Sequence, residues 1–180
     1  MTPESARPST ELETVDASFA LLASAVRGLT DSAARNASLL PGWTRGHVLT
    51  HLARNADGQR RMVEGVLRNE VVDQYPGGDE QRAADIEAGA YRPVGALVVD
   101  LNDSQALLVG AWRLVPDDAW DRLTRARAGT RPVRDGVMSR WRELLVHLVD
   151  LDVGVLPKQL PADYLARDAD WLKQHRPDWH

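Results

Sequence analysis

Apolar residues recur every three or four positions along most of this chain, the repeat of helices that bury one face. Leu12, Val15, Phe19, Leu22 and Val26 predict an amphipathic helix over about 9–28. Residues 30–43 break the rhythm and read as a connector that closes on Leu39-Leu40-Pro41-Gly42-Trp43. Thr44 can then cap a second helix through its hydroxyl. That helix runs to about Arg68 and gathers Val48, Leu52, Asn55, Gln59, Met62, Val63 and Val66 on one side. Two amides within an apolar face mean that it can line a polar cavity as well as a core. Arg54, Arg60, Arg61 and Arg68 read as its wet side.

Residues 69–92 hold the turn Tyr75-Pro76-Gly77-Gly78 and a short helical piece from about Asp79 to Ala90. A third long helix follows Pro93, which suits a first helical turn, and stops before Pro116. The charged stretch 116–131 predicts two short extended segments around an Ala128-Gly129-Thr130 turn. A fourth helix over roughly 132–153 turns Val137, Trp141, Leu144, Leu145, Leu148 and Leu151 inward, with Gly154 as its terminator. The tail predicts a further helix at about 161–175. Four long helices with one long crossover connection predict an all-α four-helix bundle with a short C-terminal extension. One domain is expected over 1–180, with its core at about 9–155 and the extension at 156–180.

Composition narrows the chemistry. The absence of cysteine excludes a disulfide scaffold, a zinc finger, an iron–sulfur site and a cysteine nucleophile. Any thiol chemistry must therefore use a sulfur brought in by a small molecule. With 22 basic and 26 acidic residues the net charge is −4, which argues against a general nucleic-acid binder. No apolar run reaches the ~18–20 residues of a membrane span, and the polar start MTPESARPSTELE is no signal peptide. The expectation is a cytoplasmic protein with no membrane partner. No dinucleotide fingerprint, P-loop, H-E-x-x-H or G-x-S-x-G occurs.

The five histidines carry the remaining signal. His47 and His51 lie four apart, one above the other on the second helix. Glu143 and His147 repeat that spacing on the fourth. At ~100° per residue, His147 falls on the shoulder of the core face and Glu143 just beyond it. Arg140, Glu143, His147 and Asp150 form a polar stripe beside the core. If the two helices are neighbours, one carboxylate and two imidazoles converge, a set that binds a divalent metal and leaves room for water or substrate. Spacing alone favours surface pairing or core-edge hydrogen bonding over a metal site, and it does not say which of His47 and His51 is the ligand. Asp150 can pair with Arg140 or Arg54. Asn55 and Gln59, one and two turns beyond His51, can hydrogen-bond a cofactor or substrate, as can Arg140, or form the polar edge of the bundle. His175 and His180 read as solvated.

Two segments carry a resemblance. Residues 40–56, LPGWTRGHVLTHLARNA, and residues 139–151, SRWRELLVHLVDL, are similar in order and separation to the two motif helices of the mycothiol-dependent maleylpyruvate isomerase family. The resemblance spans roughly residues 10–175. It implies a DinB-like four-helix bundle and a zinc ion, or another divalent metal, held by His51, Glu143 and His147. His47, the motif's other histidine, and Asp150 would stand behind the ligands. Full-length members carry a further C-terminal domain with a substrate-binding arginine. This chain stops at His180, before such a domain could form, so the expectation is either a single-domain relative or a fragment of a longer protein, with the second family domain absent from residues 1–180.

The resemblance also implies the chemistry: an enzyme that uses mycothiol, a low-molecular-weight thiol, for addition to an electrophilic substrate, as in cis–trans isomerisation of maleylpyruvate. A mycothiol S-transferase for detoxification would share that first step. A non-catalytic metal-binding or partner-binding module is the reading from a different class, and a homodimer is compatible with each.

Overall fold

A computed structural model describes residues 7–179. Periodicity becomes eight α-helices among them: α1 (Ser9–Val26), α2 (Asp31–Arg35), α3 (Arg45–Leu67), α4 (Gly78–Ala90), α5 (Val94–Arg113), α6 (Val133–Asp150), α7 (Ala162–Arg167) and α8 (Ala169–His175). A two-stranded antiparallel hairpin, β1 (Leu123–Ala126) and β2 (Gly129–Pro132), interrupts the run between α5 and α6. The fold is the all-α, DinB-like bundle that the sequence predicts.

The apolar faces read from the sequence meet in one core. Val15, Leu22 and Val26 of α1, Leu97, Leu101 and Trp112 of α5, and Val137, Trp141 and Leu144 of α6 are all buried there. α1 packs on α6 and α5, and α3 packs on both as well, so the four long helices form a closed ring. α3 is buried on nearly every side, because α4 and β1 cover the flank that its ring neighbours leave. Its arginines are therefore less wet than expected: Arg54 pairs with Asp57 and Asp100, and Arg61 donates to the Gln74 carbonyl at 2.8 Å. α5 corrects the expectation that no stretch has the length and apolarity of a membrane span, since its mean hydropathy reaches 1.2. It is a core helix of the bundle, with Asp100 paired to Arg54 and Arg92 at its middle.

Local chemistry sets the element ends. The Thr44 hydroxyl accepts from the His47 backbone N–H, as predicted, and the His47 ring accepts in turn from the Thr44 N–H, closing a reciprocal cap. Pro93 sits just before α5 as its cap, and Asp31 of α2 accepts from the Val94 N–H at 2.7 Å. α6 ends earlier than expected, at Asp150. Asp152 takes the left-handed conformation (φ 53°), two residues ahead of the predicted Gly154 (φ 92°). Arg45 holds that end, donating to the carbonyls of Leu151 and Asp152.

The tail differs most from expectation. The helix predicted at about 161–175 breaks into α7 and α8 at Asp168, whose carboxylate is pulled inward by Arg142 and the Tyr164 hydroxyl. The extension joins the core, with Leu160, Tyr164 and Leu172 buried and Tyr164 set edge-on to Trp141.

Candidate metal centre and its cleft

α3 and α6 lie side by side, and the shoulder positions of their wheels meet. His51 Nε2 stands 2.9 Å from Glu143 Oε2 and 3.1 Å from His147 Nε2, and the Glu143 oxygen is 3.3 Å from the His147 nitrogen. Donor atoms around one tetrahedral zinc ion lie about 3.3 Å apart. The three side chains thus form a cluster that can hold a metal ion, and two imidazoles with a carboxylate suit zinc in softness and number. His51 is 5 % exposed and the Glu143 side chain 27 %, so the centre is inside the bundle but open on the Glu143 side.

The surroundings orient the donors. His147 Nδ1 donates to Asp150 Oδ2 at 2.8 Å, which leaves Nε2 as the inward-facing atom. Asp150 is fully buried and is held from behind by Arg176 of the C-terminal extension, not by Arg140 or Arg54. The ring of Trp43 lies over His51, 5.5 Å between centroids.

These contacts decide where protons sit. Burial drives His51 toward its neutral form, down to about 4, against the opposing pull of the Glu143 hydrogen bond. Burial acts the same way on His147, but its hydrogen bonds to Asp150 and Glu143 win and lift it to about 9. Burial pushes the Glu143 carboxyl up, yet the bonds from His147 and His51 hold it well below its usual range. A divalent cation binding at neutral pH must therefore displace the His147 proton.

His47 has a different task. Its Nδ1 accepts from Thr44, which places its proton on Nε2, and that atom donates to Glu87 of α4 at 3.0 Å. It is buried as a helix cap and touches none of the three clustered donors. His175 is exposed as expected, stacked on Trp171, while His180 lies outside the described residues.

The open side of the centre is a cleft of about 150 Å³. Asn55 lines it. Gln59 and Arg140 do not line it. Both are buried beneath Asn55: Gln59 donates to Asn55 Oδ1 at 3.2 Å, and Arg140 at 2.9 Å. Arg140 also bonds Gln105 and the Leu52 carbonyl, and burial pushes its pKa down to about 10. It positions the amide from below.

The outer wall of the cleft comes from residues that sequence reasoning passed over. Tyr75, read only as part of a turn, lines it together with Arg82 of α4 and Arg127 and Arg131 of the hairpin. Arg82 lies 2.9 Å from His51 Nδ1. Gln74 rivets this wall together, bonding Arg125 and Arg127 through backbone and side chain. The available signal was three arginines within 125–131, flanking a predicted turn directly ahead of the helix that carries Glu143.

A helical bundle that converges two imidazoles and a carboxylate under an open cleft is a bundle with a candidate metal centre. The family described as "Mycothiol maleylpyruvate isomerase N-terminal domain" matches residues 15–152, and the chain belongs to that family. In structure it resembles the mycothiol-dependent maleylpyruvate isomerase, with a TM-score of 0.85 and 26 % identity over 92 % of this chain and 71 % of that one. A histidine-to-alanine variant of that isomerase matches equally well. No curated protein matches the chain.

Proposed function

We propose that the protein is a zinc-dependent enzyme that uses mycothiol to act on an electrophilic, carboxylate-bearing substrate, with cis–trans isomerisation of maleylpyruvate as the reaction the resemblance favours. The observation that carries this reading is the convergence of His51 Nε2, Glu143 Oε2 and His147 Nε2 at the floor of a cleft. Three protein donors leave a coordination position for a ligand, the arrangement of catalytic sites and not of closed structural ones.

His51 and His147 would hold the metal through Nε2 and Glu143 through its carboxylate. When bound, the ion supplies positive charge that stabilises a thiolate at neutral pH. The chain's own groups do the rest. Asp150 keeps the His147 proton on Nδ1, away from the metal side. Arg140 fixes the Asn55 carbonyl oxygen, so that amide's N–H₂ group is turned toward Tyr75 at the cleft. Burial raises the pKa of Tyr75, so its hydroxyl keeps its proton at neutral pH and can donate a hydrogen bond into the cleft. Arginines on the outer wall draw an anionic substrate inward.

The test is to incubate zinc-loaded protein with mycothiol and maleylpyruvate and follow the products by mass spectrometry. A trans product of unchanged mass supports the isomerase. A stable thiol conjugate identifies a transferase instead. Turnover that is the same with and without metal overturns the reading.

A further inference from the structure

The arginines around the hairpin share a habit with one exception. Arg125 pairs with Asp73, Arg127 with Asp79 through two bonds of 2.6 and 3.2 Å, Arg134 with Asp121 and Arg142 with Asp168. Arg131 sits among them at the cleft wall, and among the described residues its guanidinium makes no ion pair or hydrogen bond. Its Nε is buried without a partner. Leaving a half-buried guanidinium donor unsatisfied is costly unless something else satisfies it.

We propose that Arg131 is the anchor for a carboxylate of the substrate, and so the residue that selects an anionic electrophile at this site. The inference rests on the function proposed above and names the residue that sets its substrate class.

Three features aim Arg131 at that task. Its backbone is fixed: β2 pairs it with Thr124, whose hydroxyl donates to the Arg131 carbonyl at 2.9 Å. It stands on the hairpin side of the cleft, with His51 and Glu143 on the helix side, so a short acid bound between them has one end at the candidate metal centre. The other cleft cations are engaged, Arg127 by Asp79 and Arg82 at His51, which leaves Arg131, among the described residues lining the cleft, as the arginine whose two terminal guanidinium nitrogens have no partner. A planar fork and a carboxylate match in two parallel hydrogen bonds, which a lysine does not reproduce. Burial lowers its pKa and the carboxylates of Asp135 and Glu143 oppose that, so it remains a cation across the physiological range. A volume of about 150 Å³ admits a short dicarboxylic acid.

The experiment uses the full chain loaded with zinc and two matched ligands, maleate and its uncharged dimethyl ester. Without thiol, calorimetry measures binding of maleate to the wild-type protein, Arg131→Gln and Arg131→Lys. Arg131→Gln should weaken maleate about tenfold or more, as expected for losing a charge-assisted pair, with Arg131→Lys in between. Zinc content and the thermal melt of both variants should match the wild type. With mycothiol present, Arg131→Gln should raise KM for maleate and leave dimethyl maleate turnover unchanged. The proposal is overturned if the wild type does not bind maleate, if Arg131→Gln binds it as well as the wild type, or if both substrates suffer alike. Binding without thiol needs no turnover. A wild type that binds maleate through Arg131 but shows no metal-dependent thiol reaction would sink the functional reading and leave this assignment standing.

Discussion

The two walls of the cleft are built on opposite principles. The inner wall is α3 and α6, long helices whose apolar faces fix their rotation, so His51, Glu143 and His147 arrive with little freedom left. The outer wall is the segment around Tyr75, α4 and the hairpin, joined by salt bridges and by the buried Gln74. Packing sets the first and paired charge sets the second. Metal-type donors therefore stand where geometry is most rigid, while the arginines that line the cleft stand on a wall held by exchangeable contacts.

The comparison breaks most visibly at the inner wall. Replacing His51, Glu143 or His147 by Ala should abolish stoichiometric zinc, because two donors do not make a tight site, and metal analysis by mass spectrometry reads this directly. Removal of the exposed His175 should change nothing. Zinc retained in full by His147→Ala would overturn the ligand assignment.

A smaller effect follows from the proton on His147. Zinc affinity should climb roughly tenfold per pH unit between about pH 6 and 8, because one proton held at about 9 must leave for the metal to enter. Asp150→Asn should lower the affinity about 10–100-fold, by loosening the ring and removing the charge that supports it, and should flatten the slope. Chelator competition across pH measures both. An affinity independent of pH would mean that His147 enters the site already neutral.

Gly58 is where the outer wall rests on the inner one. A Cβ there would stand 2.8 Å from Gln74 Cγ and 3.0 Å from its carbonyl oxygen. Gly58→Ala should cost about 1–3 kcal/mol of stability from overpacking and displace the outer wall, with zinc retained. Denaturant unfolding beside metal analysis separates the two. Loss of zinc as large as in His51→Ala would show that the walls are not independent.

The least effect is expected from His47→Ala, which removes a reciprocal helix cap worth about 1 kcal/mol and leaves the zinc content intact.

These contrasts also explain what the sequence made legible. The Thr44 cap and the shoulder positions of His51 and His147 follow from local rules, and both are found in the structure. The hairpin turns at Arg127-Ala128, one residue ahead of the predicted Ala128-Gly129-Thr130, because Gly129 (φ 120°) already opens β2 opposite Ala126. The break at Asp168 depends on Arg142, 26 residues away, and Asp150 is braced by Arg176 across the same separation. No local pattern encodes such pairs. The place of Gln59 and Arg140 beneath the cleft has a related cause. Periodicity put them on the right face, but only the packing of α3 against α5 and α6 shows that Asn55 covers them. Arg131 needed the hairpin's register, which pairs it with Thr124 at the end next to α6.

The central claim is that one divalent ion sits among His51, Glu143 and His147. Anomalous diffraction at the zinc edge from crystals of the zinc-loaded protein tests it most directly. A single peak is expected at about 2.0–2.2 Å from His51 Nε2, His147 Nε2 and a Glu143 oxygen, with no fourth protein ligand. A peak at any other residues, or a site closed by His47, would contradict it.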